Sequence, residues 1–87
     1  MYQNYPNPFN PVTKIKFDIR AGNNSKTPVK LLVYDVTGRL VKTLVDEQLK
    51  PGSYYADFDG ESIASGIYFC NIIAGDFRDA VKMVLIK

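Results

Sequence analysis

The sequence predicts an all-β domain, an antiparallel β-sandwich of six or seven short strands, and three observations predict it. Apolar residues alternate with polar ones at a period of two in several runs. Turn formers such as Thr37-Gly38, Pro51-Gly52 and Gly75-Asp76 separate those runs. No stretch gives a convincing helix. A lone meander would leave its apolar face wet, so two packed sheets are the stable solution.

Each element has its own reason. Val12–Ile19 (VTKIKFDI) sets Ile15, Phe17 and Ile19 against Lys14, Lys16 and Asp18, which is a half-buried strand. Ala21–Pro28 (AGNNSKTP) is a polar loop. Val29–Val36 (VKLLVYDV) is apolar on both faces near its middle, as a central strand is. Thr37-Gly38 is short enough for a tight hairpin with glycine at positive φ. Arg39–Val45 (RLVKTLV) has helical spacing through Leu40, Val41, Leu44 and Val45. Its β-branched content and the preceding turn favour a strand.

Pro51-Gly52 fits the two central places of a type II turn. Ser53–Phe58 alternates Tyr54, Ala56 and Phe58 against Tyr55 and Asp57. Gly66–Ala74 (GIYFCNIIA) is almost wholly apolar and belongs mid-sheet. After a turn at Gly75-Asp76, Phe77–Ile86 sets Val81, Met83 and Leu85 opposite Lys82, Val84 and Ile86. The sandwich is immunoglobulin-like in the broad sense, without its disulfide, because Cys70 is the single cysteine.

The head of the chain breaks this pattern. Asn4-Tyr-Pro-Asn-Pro-Phe-Asn-Pro11 holds Pro6, Pro8 and Pro11, which cannot donate to a ladder. Residues 4–11 are expected to lie extended at an edge or across the sandwich end, with Tyr5 and Phe9 plugging the core. A polyproline ligand is the less favoured reading, since Pro8-Phe-Asn-Pro11 has no flanking basic residue to orient it.

The 87 residues suffice for one domain, residues 1–87, with residues 1–11 as a Pro-rich lead-in packed on the sandwich. A net charge of +2, with bases scattered among acids, gives no footprint for nucleic acid or an anionic membrane. No apolar run approaches the roughly 18–20 residues of a membrane span. Met1-Tyr-Gln-Asn4 lacks the basic and apolar regions of a secretory signal, so the chain reads as a module of a longer protein.

Catalysis finds little to use, and the domain is expected to be no enzyme and to need no cofactor. Without histidine there is no His-based triad, general base or His metal site. Cys70 sits within an apolar strand with no base beside it, as a structural cysteine does. Paired carboxylates would need a deep cleft that a small sandwich does not offer. Asp57, Asp59 and Glu61 imitate the start of a calcium loop, but Ser62 stands where glycine is needed. Tyr68 stands where a bidentate carboxylate is needed. Tyr2, Tyr5 and Tyr55 are candidates for stacking on sugars, which keeps a carbohydrate-binding or cell-adhesion accessory module as the alternative function.

Four stretches together resemble one family. They are Gln3-Asn-Tyr-Pro-Asn-Pro-Phe-Asn-Pro11, Val33-Tyr-Asp-Val-Thr-Gly-Arg39, Ser65-Gly-Ile-Tyr-Phe69 and Lys82-Met-Val-Leu-Ile-Lys87. In this order they resemble the C-terminal sorting domain (type A) of the type IX, or Por, secretion system of Bacteroidetes-like bacteria. The resemblance runs from about Gln3 to Lys87. It implies a non-catalytic signal that directs an upstream passenger across the outer membrane, by way of the periplasm, to the cell surface or the medium. It also implies outer-membrane translocation and attachment machinery as the partner.

Physical chemistry suggests what such a partner would read. Gly38-Arg39 offers a fixed cation with five donors. The last strand, through Lys82, Met83, Val84, Leu85, Ile86 and Lys87, is expected at a sheet edge with backbone groups open to strand addition. The plainer alternative is that Gly38 makes the turn, Arg39 pairs with Asp35, and the lysines keep an edge soluble.

Overall fold

The structure, a computed structural model, describes residues 1–20 and 26–86. It contains six strands among these residues: β1 (Val12–Ile19), β2 (Thr27–Asp35), β3 (Leu40–Leu49), β4 (Gly52–Asp59), β5 (Gly66–Ala74) and β6 (Phe77–Leu85). All strand pairings are antiparallel, and the strands form two sheets, β1-β4 and β3-β2-β5-β6. The expected all-β sandwich is therefore present with six strands, no helix among the described residues, and a free buried Cys70. Most of the loop expected over Ala21–Pro28 lies outside the described residues, while Thr27 and Pro28 already belong to β2.

The core follows the period-two pattern. β1 turns Thr13, Ile15, Phe17 and Ile19 inward, and β2 turns Val29, Leu31 and Val33 inward. β5 adds Tyr68, Cys70 and Ile72, and β6 adds Met83 and Leu85. Phe17 stacks on Tyr54 with ring centroids 5.6 Å apart. At the other end Phe58 meets Phe9 at 5.7 Å and Tyr68 at 6.4 Å.

Several boundaries differ from expectation, most by a residue or two, and three differences have a local reason. β3 runs to Leu49 instead of ending at Val45, because Asp46–Leu49 continue to pair with Thr27–Lys30. Gly52 opens β4 with φ 152°, away from the value of about +80° that a type II turn requires. The β2–β3 connection is longer than two residues, since Asp35 closes it. The Gly38 N–H donates to the Asp35 carbonyl at 3.0 Å, and the Asp35 N–H donates to the Arg39 carbonyl at 3.0 Å. Gly38 has φ 85°, a conformation that glycine adopts without a Cβ clash.

The lead-in is not one extended strand. It bends over residues 6–8 and again over 10–11, and touches the sheets through single bridges at Tyr5 and Phe9. Proline supplies no N–H, so a continuous ladder cannot run through it. Phe9 is buried at the sandwich end, whereas Tyr5 is 82% exposed. The core plug is Phe9 alone.

Of the two neighbours it is Asn4, not Tyr5, that is buried, and it makes polar contacts. Its side-chain amide donates to Thr13 Oγ1 at 2.9 Å and to the Pro6 carbonyl at 3.0 Å, and Thr13 Oγ1 donates to the same carbonyl at 2.8 Å. Asn4 and Thr13 are buried polar residues, and each hydrogen bond offsets desolvation that would otherwise cost stability.

Candidate functional site

The residues expected to carry recognition gather at one end of the four-stranded sheet. Asp35 lies opposite Tyr68 across β2–β5, and Tyr68 lies opposite Met83 across β5–β6. The β2–β3 turn and the end of β6 are thus two strand spacings apart, about 10 Å. Tyr68 is held in place by its hydroxyl, which donates to the Ala64 carbonyl at 2.6 Å. Asp35, Arg39, Ile63, Ala64 and Tyr68 line a shallow groove of about 610 Å³ at this end.

Asp35 organises the turn. Its Oδ1 accepts from the Thr37 hydroxyl at 2.6 Å, the Thr37 N–H at 2.9 Å and the Arg39 N–H at 3.1 Å. Its Oδ2 faces Arg39 Nε at 3.4 Å, so the pairing of Arg39 with Asp35 is real, yet the guanidinium stays exposed. The hydrogen bond from Thr37, with the backbone donors and Arg39 behind it, holds the Asp35 carboxyl below its ordinary value of 3.8. A carboxylate whose folded value is depressed adds stability above the unfolded value and loses it as pH falls through the folded one. Acidification below about pH 4 is therefore expected to loosen this turn. An NMR titration should show the Thr37 and Arg39 amides moving with an apparent pKa below 3.8; a midpoint at or above 3.8 would contradict the assigned hydrogen bonds.

The terminal strand β6 forms an outer edge of its sheet, but residues 82–86 are not open. The lead-in lies along them. The Lys82 carbonyl accepts from the Gln3 side-chain amide at 2.8 Å and from that of Asn7 at 3.3 Å. The Val84 N–H donates to Asn7 Oδ1 at 2.9 Å. The Phe9 N–H donates to the Val84 carbonyl at 2.9 Å, and the Ile86 N–H donates to the Phe9 carbonyl at 3.0 Å. The expectation that this edge offers its backbone to an added strand is corrected accordingly, because the chain's own head already uses those groups.

The side chains of the strand divide by function. Met83 and Leu85 are core residues, Val84 is half-buried, and Lys82 and Ile86 face solvent. Lys87 lies outside the described residues. Gly60 closes the end: a Cβ there would meet Leu85 Cδ2 at 2.8 Å and Phe9 Cε2 at 3.4 Å.

The same lead-in also reaches the other sheet. The Tyr5 and Lys14 backbones exchange two hydrogen bonds of 3.0 Å, and the Tyr2 N–H donates to the Lys16 carbonyl at 3.0 Å. Beside this edge Tyr2, Tyr5 and Tyr55 line one open groove with Gln3, Lys14 and Lys16. The three tyrosines singled out as sugar-stacking candidates are thus brought together.

The other chemistry-bearing residues have structural duties. Asp59 Oδ1 accepts from the Glu61 N–H at 2.9 Å, making a local turn of the stretch that imitates a calcium loop. No group of three or more metal-ligating side chains converges among the described residues. Burial pushes the Cys70 thiol up to about 12, so it stays protonated at neutral pH and is a poor nucleophile. No helix among the described residues is long and apolar enough to cross a membrane.

Sequence reading overlooked Asn4, Thr13 and Asn7. Thr13 had a signal, since it shares the inward register of Ile15 and Phe17. Asn4 and Asn7 bond to residues 9 and 77 positions away, and no local pattern announces such bonds.

No curated protein and no solved structure matches the chain. The family model of the secretion system C-terminal sorting domain matches residues 3–87. The chain therefore belongs to that family, the sorting domains of type IX secretion, whose members are signals and not catalysts.

Proposed function

We propose that residues 1–87 act as a single sorting and attachment domain. It directs an upstream passenger through the periplasm and across the outer membrane to the cell surface or the medium. The observation that carries this reading is the family match over residues 3–87. The proposed partner is the type IX translocation and attachment machinery.

The recognition surface in this reading is the end that joins the Asp35-closed turn to β6. Gly38 fixes the turn and Arg39 presents its guanidinium. Lys82 presents its side chain from the terminal strand and Ile86 from just beyond it, with Lys87 following them. Met83 and Leu85 hold that strand on the sandwich through buried side chains, and Val84 holds it to the lead-in through its backbone. Support comes from the exposure of Arg39, Lys82 and Ile86 at one sheet end.

An export assay tests both parts. Residues 1–87 are fused behind a periplasm-directed fluorescent protein in a bacterium with a working type IX system. Arg39→Gln and the pair Lys82→Gln/Ile86→Ser are compared with the parent, with melting curves to show that all remain folded. Export of the parent and periplasmic retention of the folded variants are expected. Export of every variant would move recognition elsewhere in the domain, and retention of the parent would overturn the sorting reading.

A further inference from the structure

The groove beside β1 is not used by the sorting reading. The outward face of β1 carries Lys14 and Lys16, two residues apart and so about 7 Å from each other along the strand. Lys16 lies opposite Tyr55 of β4, and the lead-in places Tyr5 opposite Lys14 on the other side. Tyr2, Tyr5 and Tyr55 are 50%, 82% and 62% exposed, an unusual concentration for so small a surface.

The groove is ordered by contacts of its own. The Tyr2 hydroxyl donates to Asp18 Oδ2 at 2.7 Å, and the Ser53 hydroxyl donates to Asp18 Oδ1 at 2.7 Å. Lys16 Nζ lies 4.9 Å from the centre of the Tyr2 ring, and Lys14 Nζ lies 5.7 Å from that of Tyr55. Each ammonium is thereby held beside an aromatic face. Tyr5 offers the most exposed ring, next to Lys14 on the adjoining backbone.

We infer that this groove binds an acidic glycan, a saccharide chain bearing carboxylates. One sugar ring lies on Tyr5, and carboxylates of separate sugar units along the chain pair with Lys14 and Lys16. The groove's lining of Tyr2, Gln3, Tyr5, Lys14, Lys16 and Tyr55 holds two cations and no acid, and the carboxylates that share this face stand outside the lining, Asp18 bonded to Tyr2 and Ser53 and Asp57 across from Lys14. Rings supply the stacking and ammoniums the charge. A nucleic-acid strand is the weaker fit, because such sites track many phosphates with many cations and here there are two lysines on a chain of net charge +2. Family membership places the chain among exported proteins, which meet polysaccharide at the cell surface. This glycan function is additional to sorting, and its test needs no secretion machinery.

The test is a 1H–15N NMR titration of the 87-residue chain with hexagalacturonate, maltohexaose and hexathymidylate in parallel. Hexagalacturonate is expected to shift Tyr2–Tyr5, Lys14–Lys16 and Tyr55 saturably at millimolar concentration, and added salt should weaken it. Tyr5→Ala and the pair Lys14→Gln/Lys16→Gln should each weaken binding about tenfold, as loss of one stacking face or of the local charge would. Because these side chains lie on the surface, the ligand-free spectra of the variants should keep the dispersion of the folded domain. Absence of a saturable shift, equal binding of maltohexaose, or tighter binding of hexathymidylate would each overturn the inference. So would retention of full affinity by both folded variants.

Discussion

Deletion of residues 81–87 is expected to unfold the domain, not merely to remove a signal from it. The segment carries Met83 and Leu85, both fully buried, and it supplies half of the β5–β6 ladder from Gly66↔Leu85 to Cys70↔Val81. Truncating a buried Met or Leu to alanine alone costs about 2–5 kcal/mol, so losing two costs about 4–10 kcal/mol before any ladder bond is counted. Native domains have about 5–15 kcal/mol in total, and small ones sit low in that range. A circular-dichroism melt of the chain ending at Ala80 should show no cooperative transition at ambient temperature. A cooperative melt like that of the full chain would contradict the placement of Met83 and Leu85 in the core. Loss of export on such a truncation would not separate recognition from folding, so substitutions of the exposed Arg39, Lys82 and Ile86 are the informative ones.

Phe9→Ala is expected to be the most damaging single substitution in the lead-in. Its ring is 1% exposed, packs against Phe58 and closes over Gly60. Removing a buried phenylalanine costs about 3–5 kcal/mol, through lost transfer energy and the cavity left behind. In a domain of this size each kcal/mol lowers Tm by about 4–8 °C, so a fall of more than about 12 °C should be seen. Tyr5→Ala is the natural control, since an exposed side chain usually changes stability by less than about 0.5 kcal/mol. Equal effects of the two substitutions in urea unfolding would show that Phe9 does not plug the core.

Legibility in the sequence followed the range of the interactions. β1 and β5 were readable to the residue, because alternation in VTKIKFDI and the apolar run GIYFCNIIA are properties of the segments themselves. β3 was readable only to Val45, since Asp46–Leu49 are polar enough to pass for a loop and are held as strand by pairing with β2. The β2–β3 turn was recognised from its glycine, but its length depended on a side chain, Asp35, acting as an acceptor for the loop. The lead-in was the hardest case. Its prolines announced an irregular segment, while the burial of Asn4 and the exposure of Tyr5 depend on where the two sheets stand. The end proposed for recognition was legible as separate motifs, and only the sheet order brings Arg39 and β6 to one side. The covering of residues 82–86 could not be read, because it depends on Gln3 and Asn7 meeting Lys82 and Val84 across nearly the whole chain.

The bridging lead-in also bears on how the molecule behaves in a crowd. An open two-sheet sandwich has four lateral edges, and an edge with spare backbone groups is a template on which other copies can assemble. Tyr2 and Tyr5 occupy the edge at Lys14 and Lys16, and Phe9 with its neighbours occupies the edge from Lys82 to Ile86. A covering strand would ordinarily become a new edge in turn. This one ends the series, because Pro6, Pro8 and Pro11 have no N–H to offer the next chain. Of the remaining edges, β3 carries Lys42, Asp46 and Glu47, charges that oppose close stacking of copies. A segment with almost no regular structure thus covers part of two of the four edges, and it does so without itself presenting a continuous ladder.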